Sequence, residues 1–111
     1  MGRVLLASRP EAEVEQQLRS ATLTKFTPKT KTGIRELLGE LARVRKQGYA
    51  VSDEELEIGL RTIAVPVVDS RGHIGLAMAI SLQAGRMSAA RMVKELLPEL
   101  REGARRLSEV L

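Results

Sequence analysis

The sequence predicts an α+β domain, an antiparallel sheet with helices packed on its faces. Three features carry this. Residues 59 to 81, "GLRTIAVPVVDSRGHIGLAMAIS", hold two apolar runs around a polar turn and read as a β-hairpin. Residues 33 to 48 and 88 to 111 each carry an apolar stripe at helical spacing. The order is helix, helix, helix, strand, strand pair, helix, without repeat, linker or low-complexity stretch, so the 111 residues make one domain or a piece of one.

Each element has its own local reason. Val4, Leu5 and Leu6 begin an apolar helix with no capping residue before it, an unusual start for a helix. Pro10 suits the first turn of the next, where Val14 and Leu18 share a face and the early acids favour the helix dipole. The Thr-rich stretch "SATLTKFTPKTKT" follows, and Pro28 keeps it out of helix. In "GIRELLGELARVRKQG", Ile34, Leu37, Leu38, Leu41 and Val44 recur at helical spacing. Thr32 is its expected N-cap, and Gly48 sits where a left-handed C-terminal residue belongs. "YAVS" reads as a short strand and "DEELE" as an acidic turn. "DSRG" supplies the turn of the hairpin. Ser88 caps the last helix, whose stripe runs through Met92, Val93, Leu96, Leu97, Leu100, Ala104, Leu107 and Leu111. Pro98 removes one backbone hydrogen bond from it, so a kink near Lys94 or a break is expected.

The hairpin raises the functional question. Its second strand alternates large and small, with Ile74, Leu76, Met78 and Ile80 against Gly75, Ala77, Ala79 and Ser81. If the large residues of both strands share a face, Thr62, Ala64, Gly75, Ala77, Ala79 and Ser81 share the other. Small residues let a helix approach a sheet closely. They also leave a concavity with an apolar floor and two hydroxyls, those of Thr62 and Ser81, to fix a small polar ligand. Spacing alone leans towards the helix and does not decide.

Composition excludes more than it assigns. No apolar run approaches the roughly 20 residues that span a bilayer, and the start is too short in apolar residues for a signal peptide. Without cysteine there is no disulfide, thiol nucleophile or thiolate ligand, which fits a cytoplasmic location. The net charge of +4 is interspersed with acids along the helices, as on a solvated face. Only "KFTPKTK" is locally basic, and Phe26 and Tyr49 are too few rings for a nucleic-acid stacking surface. His73, the lone histidine, follows the turn glycine as a polar hairpin residue with no nucleophile set beside it. Asp53, Glu54, Glu55 and Glu57 lack the pattern of a calcium loop and read as a charged turn. No catalytic residue, cofactor or metal is indicated, and an enzyme is the least favoured class.

The segment "GYAVSDEELEIGLRTIAVPVVDSRGHIGLAMAIS" resembles the C-terminal effector-binding domain of IclR-type bacterial transcription regulators. The shared pattern is Gly-Tyr, Asp-Glu-Glu, Gly-Leu-Arg, Ala-x-Pro-Val, a turn with glycine, and a strand ending in Ser. "MGRVLLA", "LTKFTPKT", "GLRTIAVPV" and "RMSAARMVKELLPELREGARRL" look like the PcaR, PcaU and PobR subgroup, which controls the β-ketoadipate pathway and hydroxybenzoate breakdown. The resemblance runs essentially end to end.

It implies a GAF-like antiparallel sheet, with helices on one side and a small-molecule pocket on the other. It also implies a winged helix-turn-helix domain, a linker helix and first strands ahead of residue 1. The uncapped start is then expected to lie inside a longer parent, with the sheet incomplete at that end. DNA contact would fall to the preceding domain, and an incomplete sheet would favour homo-oligomers or a module that serves only to associate. The family's ligand contacts carry over to Met1, Ser52, Leu60, Thr62, Ala79 and Ser81. Leu60, Thr62, Ala79 and Ser81 share the parity of the bare face, which moves the balance towards the pocket. Ser52 stands where some members have an acid and Ala79 where some have a serine, so a bulkier, more aromatic ligand is expected. The implied effector is a small carboxylic acid such as protocatechuate, para-hydroxybenzoate or β-ketoadipate. Arg61 is turned away from Thr62 by its parity and is expected to partner the acidic turn.

Overall fold

A computed structural model of the chain describes residues 2–111. It contains α1 (Gly2–Ala7), α2 (Glu11–Ser20), α3 (Ile34–Gln47), β1 (Ala50–Asp53), β2 (Leu60–Val68), β3 (Ile74–Gln83) and α4 (Ala89–Ser108). The strands form one antiparallel sheet in the order β1-β2-β3. The predicted α+β class is therefore the observed one.

The alternation in the hairpin divides the sheet into two faces with separate cores. Ile63, Val65 and Val67 of β2 are fully buried against Met92, Leu97, Leu100 and Ala104 of α4. Met78 and Ile80 of β3 pack at the edge of this cluster. On the opposite face, Ala50 and Ala64 are buried with Val4 and Ala7 of α1, Val14 of α2, and Leu41 and Val44 of α3. Helices thus lie on both faces, where the family resemblance implied one. The reason is the alanines: α1 seats itself on a row that carries only methyl side chains, which let it come close.

Caps and breakers act locally. Gly48 adopts φ 80 and donates its backbone N–H to the Val44 carbonyl at 2.8 Å, closing α3 with the left-handed residue that its position predicts. The other end differs from expectation. Gly33, not Thr32, is the N-cap, and no side chain bonds there, because the preceding loop is committed to the acidic turn through Thr27 and Thr30. Ser88 caps α4 as expected, its Oγ accepting from the Arg91 N–H at 3.1 Å. Pro98 lies inside α4 without breaking it. It faces solvent, while Met92, Leu97, Leu100 and Ala104 hold both halves of the helix to the sheet, so burial outweighs one lost hydrogen bond. Gly103 allows this close seating, since a Cβ there would stand 3.2 Å from Met78 Cε.

Candidate functional site: a cavity over the hydroxyl row of the sheet

The strand register sorts the bare face into rungs. Ser52, Thr62 and Ser81 lie side by side across the three strands, and Ala50, Ala64 and Ala79 form the next rung. Ala77, opposite Pro66, continues the small-residue surface, and α1 packs over this alanine end. The hydroxyl end is left open to a cavity of about 290 Å³. The two accounts of the bare face therefore divide it between them: one end seats a helix, the other lines a hollow.

Four separate segments border this open cavity. Ala50, Ser52, Thr62 and Ala64 make its floor, and Gly2 and Arg3 of α1 stand on one side. Phe26 and Thr30 reach in from the Thr-rich loop, and Glu55 and Leu56 from the acidic turn. The walls are mainly apolar with a few convergent hydroxyls and one ion pair, the usual make-up of a small-molecule site. Its volume sits near the lower end of the roughly 300 to 1,000 Å³ that such sites span, which suits a metabolite.

The acidic turn is a charged turn, as its sequence suggests, and its carboxylates are paired. Asp53 accepts from Arg61 Nε at 3.0 Å, and Arg61 also donates to the carbonyls of Ala84 and Met87. Arg61 thus acts as the predicted structural partner and points away from the cavity. Glu54 takes a positive φ of 56, a conformation that is rare outside glycine. Its carboxylate caps the turn by accepting from the Gly59 N–H at 2.8 Å and pairs with Lys29 at 2.7 Å. Those two bonds hold the Glu54 carboxyl below its ordinary range, the Lys29 bond contributing most. Glu55 is buried, with both carboxylate oxygens engaged by Arg3; Nη1 donates to Oε2 at 2.8 Å and Nη2 to Oε1. Lys31 lies 3.3 Å from the same carboxylate. Burial alone would raise the Glu55 carboxyl, but Arg3 and Lys31 more than offset this and hold it low.

The Thr-rich loop is therefore clipped to the turn at four points. The hydroxyl of Thr27 donates to the Glu54 carbonyl and that of Thr30 to the Glu55 carbonyl, while Lys29 and Lys31 pair with the carboxylates of the same two residues. This fixes Phe26 and Thr30 as a wall of the cavity. The basic "KFTPKTK" and the acidic "DEELE" carry a legible signal of this clip in their opposite charge.

The six predicted ligand contacts are placed as follows. Ser52 and Thr62 line the cavity. Ser81 bonds Thr62, hydroxyl to hydroxyl, at 2.8 Å and is joined to the site through it. Leu60 and Ala79 share the bare face but do not line the hollow, Ala79 being packed at the edge of the core beneath α1. Met1 lies outside the described residues. Arg3, Phe26, Thr30 and Glu55, which the sequence reading passed over, complete the lining. His73 is exposed on its turn, where its backbone N–H donates to Asp69 Oδ1 at 2.9 Å.

A metabolite-sized hollow on the face of a small sheet, walled by segments that are far apart in sequence, is the layout of a small-molecule-binding domain. The chain belongs to the IclR family: the family model "Bacterial transcriptional regulator IclR C-terminal" matches residues 1–109. The family is one of transcription regulators and not of enzymes. The chain is 36% identical over 111 residues to the Pca regulon regulatory protein of Pseudomonas putida, covering 100% of this chain and 38% of that protein. It is 41% identical over 108 residues to the HTH-type transcriptional regulator KdgR of Escherichia coli, covering 97% of this chain and 41% of KdgR. It thus spans about two fifths of the length of these curated relatives. Among solved structures, the inducer-binding domain of the PobR transcription factor from Acinetobacter, a double mutant complexed with 3-hydroxybenzoic acid, superposes with a TM-score of 0.95. That match has 31% identity and covers 99% of this chain and 63% of that one. The three-stranded sheet with its helices also superposes on the C-terminal domain of Escherichia coli KdgR with a TM-score of 0.88, covering 98% of this chain and 66% of that one at 40% identity.

Proposed function

We propose that this effector-binding domain senses a small aromatic or keto carboxylic acid in the cavity over Ser52 and Thr62, and so controls genes of aromatic catabolism such as the β-ketoadipate pathway. One observation carries the reading: the hydroxyl rung of the sheet opens into a hollow of about 290 Å³ with mostly apolar walls. The likeness to a Pca regulator and to a PobR domain holding a hydroxybenzoic acid supports an aromatic ligand. The likeness to KdgR is of similar strength, so the choice of acid rests on the cavity's chemistry and on its test. Sensing follows from the walls. A ligand touching α1, the Thr-rich loop, the sheet and the acidic turn at once favours one relative placement of these four, and only such differential affinity can shift a conformational equilibrium. The proposed setting is the cytoplasm, and no helix among the described residues is long and apolar enough to cross a membrane.

The test is a thermal-shift series with protocatechuate, para-hydroxybenzoate and β-ketoadipate. A native-state ligand at a hundred times its Kd adds about 2.7 kcal/mol, or roughly 10 °C for a domain of this size. The expected result is such a rise with at least one acid, abolished by Thr62→Leu, which fills the hollow. A rise that survives Thr62→Leu, or none with any of the acids, overturns the reading.

Self-association of the chain is proposed on a separate observation. Among the described residues β3 pairs only with β2, leaving a strand of ten residues with one open edge, and Leu76 on it is half exposed. Open edges of that length favour pairing between copies. Light scattering is expected to show a dimer or larger species at micromolar concentration; a monodisperse monomer would count against it.

A further inference from the structure

The ion pair in the cavity wall has an unusual composition. One buried carboxylate, that of Glu55, is shared by two cations from two different elements, Arg3 of α1 and Lys31 of the Thr-rich loop. Glu36 and Glu40 of α3 are the other acids whose charge reaches Arg3. Neither forms an ion pair with it among the described residues, and Glu40 is paired with Arg43 at 3.4 Å. Within ion-pair distance the cluster thus holds two cations and one anion, and it borders a hollow whose remaining polar groups, Ser52, Thr62 and Thr30, are all hydroxyls. Arg3 is the cation that lines this hollow. Its planar fork is matched to a carboxylate and is already holding one in the bidentate manner.

We propose that Arg3 is the anchor for the carboxylate of a monoanionic effector, with Glu55 occupying that anchor in the empty cavity and passing to Lys31 when the ligand arrives. This rests on the reading of the cavity as the effector site. The exchange does not strand a buried charge, because Glu55 keeps Lys31 3.3 Å away while Arg3 turns to the ligand. It also replaces an internal tie between α1 and the acidic turn by one that runs through the ligand, so occupancy changes what holds α1 in place.

Benzoate and benzamide, alike in shape and different in charge, are the probes, and titration calorimetry of the full chain is the measurement. Wild type is expected to bind benzoate about tenfold more tightly than benzamide, the scale of one charge-assisted bidentate pair. Arg3→Met should remove that preference, so that the two probes bind alike. Arg3→Lys, which keeps the charge without the fork, should retain part of it even if Arg3→Met folds poorly. Lys31→Met, at a site away from the lining, should weaken benzoate several-fold by leaving Glu55 nowhere to go, and leave benzamide alone. Equal binding of the two probes to wild type, a preference that survives Arg3→Met, or no binding of benzoate at all overturns the exchange. Thr62→Leu separates this from the cavity reading. If it blocks both probes while wild type shows no preference, the cavity is the site and Arg3 is not its anchor. If it blocks neither, the cavity reading falls too.

Discussion

Glu55→Gln is expected to lower the unfolding free energy by about 3 kcal/mol at neutral pH, because removing one partner of a buried ion pair leaves the other uncompensated. Glu55 is 6% exposed and Arg3 19%, so the charge left behind is poorly solvated. An exposed pair of the same chemistry sets the contrast. Arg91 and Glu95 lie 3.0 Å apart on α4 with side chains 59% and 43% exposed, and Glu95→Gln should cost at most about 0.5 kcal/mol. The Glu55 effect also has a definite pH dependence. Its carboxyl is held below the ordinary value of 4.5 in the folded chain, so its contribution is fully present above that pH and is lost as the pH falls through the folded value. Glu54, Asp69 and Glu102, the last held at about 2 by Arg105 and Arg106, are shifted in the same direction and act with the same sign. Urea denaturation at pH 7 and pH 3 should therefore show the gap between wild type and Glu55→Gln closing at the lower pH. A gap that stays constant would mean that the Glu55 carboxylate contributes nothing as a charge.

The same cluster marks the limit of what the sequence revealed. Periodicity marked α3, α4 and the hairpin strands, because burial on one face writes a period of two or of 3.6 into the chain. The bare face of the hairpin was legible for the same reason, and so was Arg61 as a partner of the acidic turn, since its parity turns it away from Thr62. The pairing of Glu55 with Arg3 joins residues 52 apart and leaves no periodic trace. The clip between the Thr-rich loop and the acidic turn is similar: two threonine hydroxyls bond backbone carbonyls, and such bonds depend on the fold having brought the segments together. Rung order was hidden as well. Parity placed Leu60, Thr62, Ala79 and Ser81 on one face, but only the register separates the hydroxyl rung, which opens to the cavity, from the alanine rung beneath α1. Small residues seat α1 at the alanine rungs and floor a hollow at the hydroxyl rung.

Ile63→Ala should cost about 3 to 4 kcal/mol, while its neighbour Thr62→Ala should cost no more than about 1 kcal/mol. The two positions are adjacent in β2 and point to opposite faces of the sheet. Ile63 has no exposed surface; it is flanked in the sheet by Val51 and Ile80 and packs in the cluster under α4, so truncation opens a cavity that the strands cannot collapse. Thr62 lines an existing hollow, and truncation there removes one solvent-accessible bond to Ser81. A register one residue out would exchange the two outcomes, since every side chain would then face the other way. Urea denaturation of both variants therefore tests the placement of the site without any knowledge of its ligand. If Thr62→Ala proves as costly as Ile63→Ala, the hydroxyl rung is a packed interior and has no room for an effector. If the expected asymmetry appears, the sheet does two jobs with its two faces: the Ile63 side packs a closed core under α4, and the rung of Ser52, Thr62 and Ser81 is left to what it binds.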